Sequence, residues 1–576
     1  MPTFTIDDRA LEAKPGQTII QAALENGIDV PHFCWHPSLS VAGNCRMCLV
    51  DVGMPKMNPD RTPALDENGK PIIMFMPKLQ IACATTVSEG MVVRLQHDKV
   101  QSAQEAVMEF LLINHPLDCP ICDEAGQCKL QEYGYKHSKG ESRFNESKNS
   151  KDKRVPLGPN VLFDGERCIS CSRCIRYANE QAQQPVLSFV QRGDHVTIET
   201  FPGTEFDSPY SMNVIEICPV GALTSQDFRG CNVKAGARNY EILRLEPRTN
   251  LEVNNYWLCD HGRLTQFNYV NENRVKNPAL RSSASGALED ASWEQATQRA
   301  AELLKNYKPE EIMVLGSAKA TVEDNYALAR FARQTLKTPN IDFFRYENPE
   351  FGDDYLRRSD MTPNASGALA VGVQPDKGGV SAKELAAKIQ SGAIKAVYAL
   401  EDDLAAISPE LASALDALGA LIVHAVNFTT TAQKAHVVLP AASYAELEGV
   451  YVNFQNRAQH VEPFIVTAEN ERRMGMKMSR LDKFGAHNDR WTQGERRNCR
   501  QTWRALTALA KEMGAEADAW RYRVSEDVFE EIADTVEFFA GMSYALLDER
   551  KGVVSGEADK EAVEVYEYES HTLKPN

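Results

Sequence analysis

At 576 residues, with 43% hydrophobic and 25% charged side chains, the chain has the makeup of an ordinary globular protein of several domains. Its formal net charge of −17 argues against a nucleic-acid partner, because phosphate binding needs a basic face. The longest apolar run, LASALDALGALIVHAVNF, is broken by Asp416 and His424 and predicts no transmembrane helix. MPTFTIDDRA has the shape of neither a signal peptide nor a transit peptide, so any link to a membrane is expected to run through other proteins.

Cysteine is unevenly spread. Of fourteen, thirteen precede residue 260 and Cys499 stands alone. A disulfide framework belongs to exported proteins, which the N-terminus does not suggest. Repeated C-x2-C pairs point instead to zinc or iron–sulfur ligation, since two intervening residues let both sulfurs turn toward one centre.

In chain order, TFTIDD and RALEA alternate like a hairpin, and QTIIQAALENGI is apolar at helical spacing and closes at Gly27. CRMCLVDV and MVVRL read as further strands. Between them Cys34, Cys45 and Cys48 form C-x10-C-x2-C, and Cys83 follows. Gly43 lets the backbone bend so that N–H groups face the sulfurs. The arrangement resembles the plant-type [2Fe–2S] ferredoxin β-grasp domain, with a longer first spacing and an insertion at 53–79. A structural zinc site is the alternative here.

DKVQSAQEAVMEFLLINH predicts a helix capped by Asp98, with Val100, Ala103, Val107 and Leu111 near one face. It delivers His115 to HPLDCPICDEAGQC. A lone histidine at a helix end is more often a partner of the helix dipole. Here Cys119, Cys122 and Cys128 leave a cubane one ligand short, and His115 completes the four. A neutral imidazole in place of a thiolate makes the cluster one unit less negative, which alters its potential and its cost of burial. Residues 141–160 read as a linker or long loop. ERCISCSRCIRY then gives Cys168, Cys171 and Cys174, and Cys218 follows in EICPVGALT. This is the bacterial ferredoxin pattern, and Cys218 fills the one set that lacks a fourth ligand. Eleven cysteines and one histidine thus close three sets of four.

From about residue 290, EIMVLGSAKA, TVEDNYALARFARQTLK and IDFF suggest a β-α-β unit, and AIKAVYAL, ALIVHAVNF and AHVVLPA suggest further buried strands. This half reads as a doubly wound α/β domain. LGSAKA lacks G-x-G-x-x-G, so no dinucleotide site is expected there. The end, GEADKEAVEVYEYESHTLKPN, reads as an acidic arm or plain disorder.

Taken in order, these motifs resemble the G subunits of bacterial NADH:quinone oxidoreductase, respiratory complex I, over residues 1 to about 540. AHVVLPAASYAELEGVYVNFQNRAQ is similar to the VVLPA…E..G…N…R.Q stretch of the molybdopterin oxidoreductases. The resemblance implies a multidomain α+β and α/β chain. Its parts would be a [2Fe–2S] β-grasp domain (1–97), a one-His three-Cys [4Fe–4S] domain (98–140) and an all-cysteine [4Fe–4S] domain (141–229). A degenerate cluster segment (230–285), a molybdopterin-oxidoreductase-like α/β domain without pterin (286–545) and the acidic arm (546–576) would follow. It further implies an electron relay from the NADH/flavin module toward quinone that binds neither substrate itself. The partners would be the flavin/NADH-binding subunit and the quinone-module iron–sulfur subunits. The expected place is the cytoplasmic side of the bacterial inner membrane, held peripherally. By the same likeness Cys34, Cys45, Cys48 and Cys83 would hold the [2Fe–2S] cluster. His115, Cys119, Cys122 and Cys128 would hold one [4Fe–4S] cluster, and Cys168, Cys171, Cys174 and Cys218 another.

Cys231 and Cys259 are left over, separated by the 27 residues that end the family's extra C-x2-C-x3-C-x27-C motif. The other two positions fall at Thr224 and Asp227, so a fourth cluster is not expected. Two other readings stay open. The iron–sulfur subunit of an NAD-linked formate dehydrogenase or hydrogenase complex shares the cysteine series, but a catalytic subunit should add a metal-ligand cysteine downstream, where Cys499 among arginines reads as incidental. The second, an iron–sulfur sensor or assembly protein, has little use for three clusters in series.

Overall fold

The computed structural model describes residues 1–60, 62–225, 233–238, 240–265, 268–282, 286–465, 467–469 and 497–558. Cys231, Asp227 and the acidic tail after 558 lie outside the described residues. The chain forms two compact units. Among the described residues, one is Met1–Val233 with Glu246–Leu264; the other is Lys234–Leu245 with the chain from Thr265 to residue 558. The segment read from sequence as one piece, 230–285, is therefore divided between them.

The first unit opens with β1 (Thr3–Ile6), β2 (Arg9–Glu12), α1 (Ile19–Glu25), β3 (Leu49–Pro55), β4 (Ile73–Phe75), β5 (Gln80–Ile81) and β6 (Met91–Arg94). The sheet runs β2-β1-β6-β3-β4, with β5 on β3. β1 and β6 are parallel, Phe4 opposite Met91, while β1–β2 and β3–β6 are antiparallel. Alternation buries Phe4, Ile6, Val50, Val52 and Val93 on one face, where α1 lays Ile19, Ile20 and Ala23 against them. The helix stops where expected: Gly27 takes φ +71°, and Ile28 N–H closes on the Ala23 carbonyl at 2.9 Å. The 53–79 insertion extends β3 and β4 outward, with bridges between Met57 and Pro63 and between Leu65 and Pro71.

α2 (Asp98–Ile113) differs from the expectation in two respects. Its cap is His97, whose Nδ1 accepts from Lys99 N–H at 3.3 Å, and Asp98 sits in the first turn. The buried stripe is Val100, Gln104 and Met108, one i, i+4, i+8 row; Ala103, Val107 and Leu111 are half-buried beside it. The polar Gln104 hid the true row from a reading by hydrophobicity alone.

The second unit holds a seven-stranded sheet in the order Leu288–Asp290, Ala279–Arg281, Val437–Pro440, Ala420–Ala425, Ala396–Leu400, Ile312–Gly316, Ile341–Phe343. The last five are parallel, and the strands Ile312–Gly316, Ala396–Leu400, Ala420–Ala425 and Val437–Pro440 are buried at every residue, as helices on both faces require. The molybdopterin-type stretch is legible here as architecture. Glu446 accepts from Arg274 and Arg497, each at 2.7 Å, and from Ser443 N–H at 2.9 Å. A side chain on Gly449 would strike Glu323, whose carboxylate instead accepts Val450 N–H at 2.9 Å. Asn453 Oδ1 caps Arg457 N–H at 3.1 Å, and the Arg457 guanidinium reaches the Gly552 carbonyl at 2.8 Å. The helix Tyr544–Glu549 crosses residue 545, after which an exposed arm was expected, and the strand Val553–Val554 beyond it pairs with Arg457–Val461.

Candidate metal centres

Each of the three cysteine loops is shaped by left-handed residues. In the first, Gly43 (φ +62°) and Arg46 (φ +59°) turn the chain so that the amides of Asn44 and Cys45 donate to the Cys34 sulfur. Cys34, Cys48 and Cys83 are buried, and Cys45 is half-buried. The four sulfurs meet as two pairs. Cys45 shares a thiol hydrogen bond with Cys34, and Cys48 with Cys83. The bond from Cys45 holds Cys34 down to about 5, while the same bond and burial push Cys45 well up. Cys83 is lowered and Cys48 raised by the equivalent exchange.

The second loop leaves α2 at Asn114 and carries His115, then Leu117 at φ +56°, a short 3-10 turn at Cys119–Ile121 and Gly126 at φ +86°. Cys122 closes the turn by donating its N–H to the Cys119 carbonyl at 3.1 Å, and Cys128 is the N-cap of α3 (Lys129–His137). Burial lowers the His115 imidazole below its ordinary value, so it is neutral at pH 7 with a nitrogen lone pair to offer. Burial also raises the Cys122 thiol, and pushes Cys128 up to about 11. Arg167, paired to Asp118 at 2.7 Å, faces both His115 and Cys122.

In the third loop Ser170 (φ +52°) and Ser172 (φ +66°) wind the chain so that Ser170 N–H points at the Cys168 sulfur, 3.4 Å away. Cys168, Cys171, Cys174 and Cys218 line one small cavity, closed by Phe163, Ile198, Val220 and Leu223. Burial raises all four thiols, Cys168 to about 12. The third loop adjoins both others. Cys128 Sγ lies 3.9 Å from the Pro219 carbonyl, one residue past Cys218. Arg173, in α4 (Arg173–Glu180), donates to the carbonyl of Trp35 at 2.6 Å and to that of Ile217 at 2.9 Å.

Among the described residues, no group of three or more His, Cys, Asp or Glu side chains is placed to hold a metal ion. Cluster ligands answer a different requirement, because they surround a volume instead of converging on a point. The third set fits that requirement, with four sulfurs around an apolar cavity. The first fits as two thiol pairs, one pair for each iron of a binuclear group.

Cys259 precedes the helix Asp260–Thr265 and accepts Gly262 N–H at 3.4 Å. Thr224 is bound into a strand pairing with Val161–Phe163. Cys499 is buried against Ala442 and Leu447, a packing position. Arg173, Arg176 and Lys129 were not singled out from sequence. Arg173 and Lys129 directly adjoin cysteines in the chain and Arg176 lies two residues past Cys174, but nothing in the spacing marked Arg173 and Lys129 as buried.

Five family models match this chain in series. The 2Fe-2S iron-sulfur cluster binding domain matches residues 1–98, and the NADH-ubiquinone oxidoreductase-G iron-sulfur binding region matches 104–143. The ferredoxin-like domain of NADH-quinone oxidoreductase subunit 3 matches 158–224. The chain is related to the NADH-quinone oxidoreductase G subunits. The NDSU1/NuoG-like 4Fe-4S domain of NADH-ubiquinone oxidoreductase follows at 224–266 and molybdopterin oxidoreductase at 361–480, so the order of modules is that read from the sequence. NADH-quinone oxidoreductase subunit 3 of Thermus thermophilus is 40% identical over 379 residues, 60% of this chain and 47% of its own length. The G subunit from Rickettsia bellii is 36% identical over 369 residues, 60% of this chain and 50% of its own. The G subunit from Streptomyces coelicolor is 38% identical over 364 residues, 59% of this chain and 40% of its own. The chain thus spans about half the length of the curated relatives it matches. A chain of the solved NAD+-reducing [NiFe]-hydrogenase aligns at TM-score 0.32 and 27% identity, covering 39% of this chain and 87% of that one, too loose an overlap to bear on the fold.

Proposed function

We propose that this chain is an iron–sulfur relay subunit of an NADH:quinone oxidoreductase, carrying electrons from the flavin module toward the quinone module without binding NADH or quinone. The observation that carries the reading is the adjacency of the three cysteine loops in one unit, the Cys218 loop touching the Cys128 loop on one side and tied through Arg173 to the Cys34 loop on the other. Cys34, Cys45, Cys48 and Cys83 would hold a [2Fe–2S] cluster. His115, Cys119, Cys122 and Cys128 would hold a [4Fe–4S] cluster, as would Cys168, Cys171, Cys174 and Cys218. When bound, these groups supply one-electron carriers. The protein's own part is to exclude water from the Cys218 cavity, to aim amides at the sulfurs of Cys34 and Cys168, and to keep His115 neutral. We assign no cluster to Cys231 and Cys259 and no pterin to the second unit, which serves as scaffold and docking surface. The partners are the flavin/NADH-binding subunit and iron–sulfur subunits of the quinone module. No helix among the described residues is long and apolar enough to cross a membrane, and attachment at the cytoplasmic face runs through those partners.

The test is EPR of the reduced chain with iron and acid-labile sulfide counts. About ten irons per chain is the expected result, whereas about fourteen means a fourth cluster. Zinc in place of iron overturns the relay.

A further inference from the structure

Arg173 is completely buried, at 0% exposure, and lines the same cavity as Cys168, Cys171, Cys174 and Cys218. Its own backbone N–H donates to the Cys171 sulfur, and its guanidinium charge faces that sulfur. The two carbonyls its guanidinium holds are not arbitrary. Trp35 directly follows Cys34, and Ile217 directly precedes Cys218. One turn further along α4, Arg176 donates to the carbonyls of Cys34 and Ser40 and faces both Cys34 and Cys171. A planar fork can serve two separate carbonyls at once, which an ammonium on a flexible stem does poorly. Burying a guanidinium costs several kcal/mol unless negative charge lies close by. Two carbonyl dipoles satisfy part of its donors, and thiolates at Cys171 on one side and beyond the Trp35 carbonyl on the other would supply the charge once clusters are bound.

We infer that Arg173 is a positioning residue shared by the Cys34 and Cys218 sites, whose single buried charge holds the reduction potentials of both upward together. This rests on the relay reading above. The physical basis is general. Reduction adds one negative charge to either site, and a fixed cation in a low-dielectric interior stabilises the more negative state. A residue that acts only as a staple between two loops has no reason to move both potentials in one direction.

The experiment is an EPR-monitored redox titration of the full chain with Arg173→Met, Arg173→Gln and Arg173→Lys, alongside iron and sulfide counts. The expected result is that the neutral variants lower the midpoint potentials of the binuclear signal and of one [4Fe–4S] signal together. Arg173→Lys should restore both most of the way. Unchanged potentials, or a shift in one signal alone, overturn the inference. If the neutral variants lose their clusters, Arg173→Lys decides: retention of both signals supports the shared charge, and loss of both shows that geometry alone is what Arg173 supplies. A wild-type chain without iron and sulfide is a different failure, that of the relay reading itself.

Discussion

Gly221 faces the sulfur of Cys122. A methyl group built on it would overlap that Sγ and come within 2.9 Å of Glu124 Cβ, so the loop after Cys218 and the loop carrying Cys122 can pack only because residue 221 has no side chain. Gly221→Ala should separate the two loops at a cost of about 1–3 kcal/mol. The expected readout is a broadened or lost signal from the His115 site, with the binuclear signal intact. Identical spectra and an unchanged denaturation midpoint would show that the loops separate freely.

Cys45→Ser or Cys48→Ser should each remove or clearly alter the [2Fe–2S] signal, because each breaks one of the two thiol pairs. Both [4Fe–4S] signals should survive, since their ligands lie in other loops. EPR of the reduced variants checks this; a wild-type spectrum would mean the group is misassigned.

His115→Cys should keep a cubane that is one unit more negative and therefore lower in potential. His115→Ala should leave it labile, with iron lost on gel filtration. If both variants match the wild type in potential and iron content, the imidazole is no ligand.

How much of this was open to reading? The candidate ligand sets, the N-terminal hairpin and the buried strands of the second unit were readable from spacing and alternation, which are properties of neighbours in the chain. Burial is not such a property. Gln104 sits in the buried row of α2, and Arg173 is sealed beside sulfurs, because residues far away in sequence close over them. The left-handed turns at Arg46, Ser170 and Ser172 were equally hidden, since sequence flags that conformation only when glycine adopts it. Gly43 was legible for that reason.

In the second unit, Glu446 is fully enclosed and balances the guanidinium groups of Arg274 and Arg497. Their charge holds its carboxyl below the ordinary value against a burial that works the other way. Glu446→Ala leaves two buried cations without it and should cost about 3–5 kcal/mol. Urea denaturation followed by tryptophan fluorescence measures the loss. A cost under about 1 kcal/mol would show that the cations are otherwise compensated.

Glu323 provides a pH test. Burial raises its carboxyl to about 8, while it accepts the Val450 N–H and the Tyr544 hydroxyl at 2.9 and 2.7 Å. The folded state therefore holds a proton that the unfolded chain releases near 4.5. Its contribution is fully present below 4.5 and is lost as pH rises through 8. Glu323→Gln cannot titrate, so the variant should gain on the wild type by up to about 1.4 kcal/mol per pH unit across that window. Paired denaturation curves at several pH values measure the gap, and a constant gap would rule the shift out.

Among the described residues the first unit is made of two stretches of chain, and the second stretch is not decoration. Trp257 stacks on His36 at 5.4 Å and sits 4.9 Å from Tyr177. Asp260 accepts from the Ser211 hydroxyl at 2.7 Å, and Leu258 N–H donates to the Asn213 side chain at 3.0 Å. The order of synthesis thereby acquires a consequence. All twelve proposed ligands precede residue 219, yet the stretch of their unit that carries Trp257, Leu258 and Asp260 is made only with residues 246–264. A chain cut at 230, the border that spacing alone suggested, would keep every proposed ligand and lose the packing on His36, Tyr177, Ser211 and Asn213.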